Sequence, residues 1–550
     1  MFKNRNLSVY VILFIILAIA LLLRIYKLSE FSVGFHIDEA SLGYNGYSLL
    51  LTGKDDNGNR WPLYIDMFGD NRPSGYHYLT IIPIKLFGLS EFSTRFPGAL
   101  IGSITIFPIF LFVTVIFQNK KLGLISASLV AISPWHFVLS RASSEAIVTL
   151  FFIIMGFSLF FYSLQKQKKL YLFIGSLSMI ASFFFYHAPR VFVPGLLLLF
   201  ILMFFSIIKK SSKNYKIALC FSFMLVSVVA LFLVFGIGGG TGRYSQINIF
   251  SSFETDFFQK QQVQEDAIAG SSNIQSRFFH NMLTNTALVF ISNYFDYFGV
   301  NFLFTTGGLP IWYSIPRMGL LYILELPFIL VGIYYLIKEK NIYSKIPLVW
   351  LLTAPIVPAI TMDDIPNINR AVVMFPMFEL IAGFGFLSFV EKIKYKKQVI
   401  IIIALLLLLN NLYFLHQYFY NAKTHKPWYR NNGFSEMMSY VKENYDNYDL
   451  IAMSKYQGGI YPLVLFYMQY DPKKYQEEGS PKNKDYGGFG KFFFVPQDCP
   501  SLQAINKIPI DKRTLYVDKG DCLWEESPNA KRNRYIYRED GTKAFHIVYD

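Results

Sequence analysis

The sequence predicts an all-α polytopic membrane protein, with about 11 transmembrane helices and a small external α/β domain at its C-terminal end. Composition is the first reason, because 53% of the 550 residues are hydrophobic and only 16% are charged, whereas soluble domains carry about a quarter of charged residues. The second reason is a series of apolar runs of about 17–22 residues, each long enough to cross a membrane. The third is a change to polar and charged composition from residue 420 onward.

Eleven of these apolar runs are predicted to span the membrane as helices, since a helix satisfies its own backbone hydrogen bonds in lipid. They lie at 7–23, 95–117, 122–139, 145–164, 170–186, 191–208, 217–235, 319–337, 346–361, 371–390 and 398–416. No small-residue cleavage site follows the first run, so we interpret it as an uncleaved span and not as a signal peptide.

The distribution of basic residues predicts the orientation of these spans. Short clusters of Lys and Arg fall between apolar runs on alternate sides, and the positive-inside rule makes the side that carries them cytoplasmic. The clusters are Lys3 and Arg5; Lys120 and Lys121; Lys166, Lys168 and Lys169; Lys209, Lys210, Lys213 and Lys216; Lys338, Lys340 and Lys345; and Lys392, Lys394, Lys396 and Lys397. Because this pattern accounts for much of the net charge of +14, it favours anionic lipid over nucleic acid as the partner.

This topology divides the chain into a transmembrane domain, 1–419, and an external soluble α/β domain, 420–550. The external side of the first domain then receives two long loops, 24–94 and 236–318, and the N-terminus is cytoplasmic. Two apolar segments inside these loops, 76–88 and 279–304, are too short or too interrupted to span, and we expect them to lie along the interface.

The C-terminal region carries strand-like runs and one helical run, which are typical of a small mixed α/β domain. Strands are predicted at DLIAMS, KFFFVP, RTLYVD, RYIYR and AFHIVYD, and a helix at SEMMSYVKENY. Cys499 and Cys522 both lie here, and an oxidising compartment would permit a disulfide between them. The third cysteine, Cys220, lies in an apolar run and is interpreted as a packing residue.

Acidic and basic residues recur at the predicted outer ends of spans that are distant in sequence. The stretch GFHIDEASLGYNGYSLLLTG carries His36, Asp38 and Glu39 just after the first span. The other outward segments contain Asp70 and Arg72, then Arg141 and Glu145, then His187 and Arg190, and then Asp363, Asp364 and Arg370. An arginine fork suits a phosphate, and a nearby carboxylate suits removal of a proton from a hydroxyl or amine. The pattern therefore predicts a site for a phosphate-bearing lipid at the outer leaflet.

Structural interpretations of the same residues remain open at this point. Arginines at the ends of spans commonly anchor the helix at the interface. Asp38 and Glu39 would also cap a helix over ASLGYNGYSLLL, because acids favour a helix N-terminus. A cap and a catalytic carboxylate are compatible, since capping holds the carboxylate in place.

The first external loop resembles that of a known family. The order DEA, TGKDDNGNRWPL, NRPSGYHY and LFGLSEFSTRFPGAL is similar to the GT-C glycosyltransferases, and more narrowly to family 39, the aminoarabinose transferases and the protein O-mannosyltransferases. The resemblance is specific over 34–102, looser over 134–145 and 363–376, and unreadable in the tail. It implies a donor sugar carried on a polyprenyl phosphate, with Asp38 as the principal catalytic carboxylate and Arg72 as a ligand of the donor phosphate.

Further site residues are expected from this resemblance and from the outward segments. Glu39 is the second acid of the catalytic pair, expected to hold the loop. Arg141, Arg190 and Arg370 are candidate helpers at the phosphate. The candidates for contact with sugar or acceptor are His36, Asp70, Tyr76, His77 and Glu145.

No cofactor is firmly predicted, and a divalent metal is left open. Some relatives carry an acidic metal ligand where this chain has Asn71, and His36 and His187 do not define a zinc site without a third ligand. The expected activity is transfer of a hexose or pentose with inversion, in the cell membrane, to an external lipid, glycan or protein acceptor.

A transporter or flippase of a lipid-linked or anionic substrate is the alternative function. Glu325 and Glu379 support it, because acids inside spans are often functional. The charge is nevertheless concentrated at one membrane face, and we see no pair of broken helices in two symmetric halves, as many transporters have. A catalytically inactive relative that serves as a receptor is a third interpretation that the sequence leaves open.

Overall fold

Apolar helices make up most of the protein, which is described by a computed structural model over residues 2–30, 34–67, 69–236, 248–250, 253–455, 459–478, 487–502, 512–522 and 532–549. In the first half these helices are α1 (Phe2–Ile25), α2 (Ile37–Thr52), α3 (Gly75–Phe87), α4 (Glu91–Phe117), α5 (Lys120–Ile132), α6 (Pro134–Arg141), α7 (Glu145–Lys166), α8 (Lys169–Ser182), α9 (Pro189–Met203), α10 (Phe205–Lys209) and α11 (Lys213–Leu231). The main helices of the second half are Phe253–Ile268, Asn273–Phe279, Met282–Asp296, Leu326–Lys338, Ile346–Thr353, Phe375–Glu391 and Lys396–His416.

Within the described ranges, eight helices are long and apolar enough to cross a membrane, or nine if α5 and α6, bent by 55° at Ser133, form one span. Two predicted spans appear as shorter apolar helices, α8 and α9. Each of the eleven predicted runs contains a helix. The stretch Asn273–Thr305, which we expected at the interface, also passes the length and hydropathy test. The predicted fold class, a polytopic helical membrane protein, is confirmed.

The spans pack around a large apolar core. Phe157, Phe161, Phe200 and Trp350 lie at its centre with ring centroids 4.9–6.3 Å apart. The outward surfaces of α1 and of Lys396–His416 carry exposed Leu, Ile and Phe side chains. Apolar surfaces of this kind suit contact with lipid, where no hydrophobic force drives their burial.

A short antiparallel hairpin of β1 (Tyr64–Met67) and β2 (Asp70–Pro73) lies in the loop 24–94. The C-terminal region contains six further strands: β3 (Leu450–Ser454), β4 (Gly488–Phe489), β5 (Phe492–Val495), β6 (Thr514–Lys519), β7 (Arg532–Tyr537) and β8 (Lys543–Tyr549). These six strands form one sheet in the order β4-β5-β3-β6-β8-β7. The centre of the sheet is parallel, because β3 pairs with both β5 and β6, and its other pairings are antiparallel. Each predicted strand run contains a strand, and helix Phe434–Glu443 lies where the tail helix was expected.

Cys499 and Cys522 form a disulfide, with their Cα atoms 5.8 Å apart. The bond joins the segment after β5 to the end of β6, and therefore closes a loop of the sheet. Cys220 is a free and exposed thiol on α11, so its interpretation as a packing residue was wrong.

The C-terminal region and the loop 24–94 share one hydrophobic core. Tyr44 of α2 donates a hydrogen bond to the carbonyl of Tyr470 at 3.1 Å, and Tyr467 donates to Glu91 at 2.6 Å. Phe35 packs on Phe466 with ring centroids 4.7 Å apart. The C-terminal region thus rests directly on the loop that carries the acid doublet.

Candidate active site

The acid doublet begins helix α2, and His36 is its N-cap. The His36 ring accepts a hydrogen bond from the Asp38 backbone amide at 3.2 Å, and the Glu39 carboxylate accepts one from the His36 amide at 3.3 Å. This reciprocal arrangement is a capping box, which satisfies amides that the helix itself cannot. Of the two acids, Glu39 therefore completes the cap with its side chain.

Glu39 is also the centre of a buried ion pair. Both of its carboxylate oxygens accept from the Arg95 guanidinium, at 2.9 Å each, and its Oε1 accepts from the Ser143 amide and hydroxyl at 3.2 Å each. Burial by itself would raise the pKa of Glu39, but Arg95 and these hydrogen bonds hold that pKa below its usual range. Glu39 thus ties α2, α4 and the turn before α7 together.

Asp38 points instead toward Arg72. The Arg72 Nη1 donates to Asp38 Oδ2 at 3.0 Å, and its Nε donates to Asp70 Oδ2 at 3.3 Å. Both partners are partly open to solvent, with the Arg72 side chain 26% exposed and the Asp38 side chain 28% exposed. Burial would lower the pKa of Arg72, but the carboxylates of Asp38, Glu145 and Asp70 raise it above its usual range. Arg72 is therefore a fixed positive charge among three acids.

The β1–β2 hairpin explains how Arg72 reaches α2. Arg72 pairs with Ile65 in the antiparallel register, and β2 ends at Pro73. His187, from the turn before α9, bonds through Nε2 to the backbone carbonyl of Asn71 at 3.0 Å. Burial and the neighbouring Arg190 lower the pKa of His187 to about 4, so the ring is neutral at pH 7 and donates this hydrogen bond. His187 thus supports the hairpin beside Arg72.

An open pocket of about 450 Å³ lies between these elements. Its lining combines the predicted acids and Arg72 with residues from two remote segments: Gly34, His36, Asp38, Glu39, Leu42, Arg72, Ala142, Ser143, Glu145, Trp312, Tyr313 and Arg430. Glu145 is the first residue of α7 and brings a third carboxyl group to the pocket, after Asp38 and Glu39. The pocket is therefore polar on the side of α2 and aromatic on the side of Trp312.

Trp312, Tyr313 and Arg430 were not predicted. Trp312 stacks on the ring of His36 with centroids 4.1 Å apart and planes 17° apart. Arg430 donates to the carbonyls of Trp312 at 2.7 Å and Ser314 at 3.2 Å, and so joins this segment to the C-terminal region. Gly34 has φ +88°, and a Cβ there would lie 2.1 Å from the Arg430 carbonyl oxygen. In the sequence, Trp312 and Tyr313 belong to the aromatic run IWY, and Arg430 directly follows the aromatic run PWY. These runs are the sequence features that could have indicated them.

Three arginines that we expected at the phosphate lie away from this pocket. Arg141 is fully buried and donates to the carbonyls of Leu23, Arg24, Tyr26 and Lys27, so it caps the C-terminal end of α1. Arg190 donates to the Phe183 carbonyl at 2.8 and 3.1 Å. Arg370 pairs with Asp363 at 3.1 Å and lines a separate, mostly apolar pocket of about 290 Å³.

Two candidate contacts for sugar or acceptor are buried in the protein. The Tyr76 hydroxyl donates to the Thr94 carbonyl at 3.1 Å, and accepts from the Gly98 amide at 3.2 Å, which fastens α3 to α4. His77 is 0% exposed, and burial lowers its pKa to about 3. Neither side chain lines the pocket.

The residues present do not fit a divalent metal. Within the described part of the chain, no group of three or more His, Cys, Asp or Glu side chains is arranged to hold one. Asn71 is exposed, and the carboxylates of Asp38 and Asp70 on either side of Arg72 pair with its guanidinium. We therefore derive no step of the chemistry through a metal.

Comparison with known proteins agrees with this description. Residues 71–232 match the family model described as "Dolichyl-phosphate-mannose-protein mannosyltransferase". This range starts beside Arg72 and ends at α11. No curated protein sequence matches the chain.

Solved structures show the fold over most of the chain. AglB, the oligosaccharyltransferase of Archaeoglobus fulgidus in complex with an inhibitory peptide and a dolichol-phosphate, is similar with a TM-score of 0.52 at 15% identity. That match covers 84% of this chain but 64% of AglB, so the chain spans less than two thirds of that protein. ArnT from Cupriavidus metallidurans, in the apo state and bound to undecaprenyl phosphate, is similar with a TM-score of 0.54 at 10% identity over 97% of both chains. The chain therefore has the GT-C fold, which the sequence resemblance over 34–102 had implied.

Proposed function

We propose that this protein is a membrane glycosyltransferase that moves a sugar from a polyprenyl-phosphate donor to an acceptor outside the cell membrane. The observation that carries the proposal is the Asp38–Arg72 pair, which combines a carboxylate and a guanidinium at an open pocket of a GT-C fold. The match to a mannosyltransferase family model over 71–232 supports the same reaction class. ArnT, similar over its whole length, is known with undecaprenyl phosphate bound, which supports a donor of that kind.

Arg72 is the residue best placed to bind the donor phosphate. Its Nη1 and Nε face Asp38 and Asp70, and neither ion pair uses Nη2. A phosphate oxygen at Nη2 would form a charge-assisted hydrogen bond. When the bond between the sugar and the phosphate breaks, negative charge grows on the phosphate, and a fixed guanidinium stabilises it. Arg141, Arg190 and Arg370 are not assigned this role, because their guanidinium groups bind protein acceptors elsewhere.

Asp38 is the proposed base. It accepts or orients the proton of the acceptor nucleophile as that nucleophile attacks the anomeric carbon, and the phosphate leaves from the opposite face with inversion. Arg72 holds the Asp38 carboxylate in the pocket, because its Nη1 donates to Asp38 Oδ2 at 3.0 Å.

The remaining pocket residues suit a sugar and an acceptor. Trp312 offers an aromatic face beside His36, and apolar sugar faces pack on such rings while hydroxyl groups bond at the edges. Glu145 supplies oxygens to the pocket that accept from hydroxyl groups. Asp70 lies outside the pocket lining, and its carboxylate pairs with Arg72. We assign Glu39 a positioning role, because Arg95 and Ser143 already occupy its oxygens.

The protein is a multi-pass membrane protein, and we propose that its N-terminus is cytoplasmic and its C-terminal domain external. The basic clusters between spans support this orientation. It places Asp38 and Arg72 on the outer face, where the acceptor is a lipid, a glycan or a protein. A transporter is not favoured, because Glu325 and Glu379, which suggested it, do not line the pocket.

Turnover and donor binding by the purified protein test this proposal. The substrates are a panel of polyprenyl-phosphate sugars, and the readouts are release or transfer of labelled sugar and the Kd for the donor. Asp38→Asn keeps the side-chain shape and removes the base, so turnover should fall about 10²–10⁴-fold with donor binding retained. Arg72→Ala should weaken donor binding as well as turnover, since the contact acts in both ground and transition states.

Matched controls come from exposed residues of the same types. Asp446→Asn changes a carboxylate whose side chain is 99% exposed, and Arg60→Ala changes an exposed arginine of the same external loop. Both should keep the wild-type turnover and donor Kd. Near-normal turnover of Asp38→Asn would remove the basis of the proposal.

A further inference from the structure

Two acidic residues of the membrane domain take no part in the candidate site. Glu325 lies at the end of the turn Ile323–Glu325, directly before helix Leu326–Lys338, and Glu379 lies near the start of helix Phe375–Glu391. Glu325 is 2% exposed and Glu379 is 0% exposed, and their carboxyl groups interact directly. We call these two residues the acid pair.

The acid pair is not satisfied by the protein around it. None of its four carboxyl oxygens has a hydrogen-bond donor among the described residues. The Ser133 hydroxyl is fully buried and lies beside Glu379. Buried polar groups in proteins almost always have partners. The oxygens of these two buried carboxyl groups lack a donor among the described residues, which makes the acid pair unusual.

Close helix packing prevents the two acids from moving apart. A Cβ at Gly332 would lie 2.2 Å from the carbonyl oxygen of Ile381, and one at Gly385 would lie 1.9 Å from that of Phe328. The helices Leu326–Lys338 and Phe375–Glu391 thus touch through their backbones, as membrane helices do at small residues. The carboxyl groups stay together within this contact.

Among the described residues, no basic side chain forms a salt bridge with the acid pair. Ser133 lies at the break between α5 and α6, and the C-terminal end of a helix such as α5 is partially negative. The Tyr322 hydroxyl, which also faces the acid pair, donates to the Ile132 carbonyl at 2.7 Å. The nearby basic groups Arg24 and His136 bond to each other at 2.9 Å. In the described chain, no salt bridge reaches either acid.

We propose that the acid pair binds one monovalent positive charge, either a proton shared by the two carboxyl groups or an alkali-metal ion. Two ionised carboxylates in contact repel each other, and each is costly to bury without a partner. A shared proton joins them by a short hydrogen bond. An alkali-metal ion would be held by the carboxylate oxygens together with the Ser133 hydroxyl, at the end of a broken helix, where membrane proteins hold such ions.

Thermal unfolding of the purified full chain in detergent tests this inference. The Tm is measured between pH 6 and 9 in choline chloride, then in NaCl and in KCl at equal ionic strength. The test variant is Glu325→Gln with Glu379→Gln, which removes both charges. The matched control is Glu339→Gln with Glu391→Gln, which changes two exposed acids at the other ends of the same helices.

The sign of the effect follows from proton linkage. A native state that binds more protons than the unfolded chain loses stability as pH rises. In choline chloride, the Tm of the wild type should therefore fall between pH 6 and pH 9 by about 2 °C or more beyond any fall in the Tm of the double Gln variant. The control should follow the wild type. A saturable rise in Tm with NaCl or KCl at pH 9, seen in the wild type alone, would assign the ligand as an alkali-metal ion, and no such rise would assign it as a proton.

An infrared measurement decides the question if the double variant does not fold. A shared proton gives the wild type a protonated-carboxyl stretch at neutral pH that shifts in D2O, and either Glu325→Gln or Glu379→Gln should remove or displace it. An alkali-metal ion gives no such band but does give the saturable salt effect. The wild type showing neither the band nor a cation-specific change in Tm would overturn the inference.

Discussion

The bidentate pair of Glu39 and Arg95 predicts how the two acids of the doublet differ. Glu39→Ala leaves the Arg95 guanidinium, whose side chain is 1% exposed, without its carboxylate. Loss of one partner from a buried ion pair destabilises a protein by about 3–5 kcal/mol. Arg95 keeps a bond to the Gly34 carbonyl at 2.7 Å, and Glu91 lies 3.6 Å away. These contacts favour the lower end, about 3 kcal/mol.

Asp38→Ala should behave differently, because the Asp38–Arg72 pair is open to solvent. An exposed ion pair contributes about 0–1 kcal/mol. The variant should therefore unfold close to the wild-type temperature, although it should lose turnover. We therefore expect Glu39→Ala to lower the stability of the protein and Asp38→Ala to lower its turnover.

Thermal unfolding of the purified variants measures this difference. Glu39→Ala should lower the Tm by about 3 °C or more, and Glu30→Ala, at a side chain that is 57% exposed, should leave it unchanged. The double variant Glu39→Ala with Arg95→Ala should lose less than the sum of the two single changes, since neither buried charge is left alone. A Glu39→Ala protein with wild-type Tm but no turnover would refute the positioning role and place Glu39 in the chemistry.

Three further predictions concern the fold. Reporter fusions after residue 420 should report the external side, and a cytoplasmic signal there would contradict the predicted topology. Replacement of Cys499 and Cys522 by Ser should lower the free energy of unfolding of the C-terminal region by about 3 kcal/mol, and non-reduced peptides with two free thiols would disprove the bond. Burial raises the pKa of Asp56 to about 8, so the folded protein keeps a proton on this carboxyl group that the unfolded chain releases. The stability that this proton contributes is fully present below the unfolded pKa and should be lost as pH rises through 8. Asp56→Asn should remove that loss between pH 6 and 9, and an unchanged pH profile would contradict it.

Sequence reasoning located the spans because their signal is local. An apolar run of sufficient length must form a helix in lipid, whatever its neighbours are. The strands of the C-terminal region were also predictable, since short runs such as RTLYVD are rich in β-branched and aromatic residues. The hairpin β1–β2 was missed, because its strands contain Asp66, Asp70 and Pro73, which are rare in strands.

The candidate site was predictable only where its residues lie close in sequence or in a resembling motif. Asp38 and Arg72 both come from the first external loop, and the resemblance covers that loop. Trp312 and Arg430 reach the pocket from distant segments, and nothing in their local sequence indicates that His36 faces them. Arg141 shows the opposite limit of local sequence, which could not show that its guanidinium donates to backbone carbonyls at the end of α1.

The division of roles within the doublet follows from helix geometry. Successive residues of an α-helix point about 100° apart, so adjacent acids at the start of α2 cannot face the same partner. Glu39 faces α4 and the turn at Ser143, where burial and Arg95 hold its charge in place. Asp38 then faces the pocket, and the cap that Glu39 completes determines its direction. A buried acid that holds the helix therefore allows its neighbour to remain partly exposed, charged and in contact with Arg72, which is the state that proton transfer beside a phosphate requires.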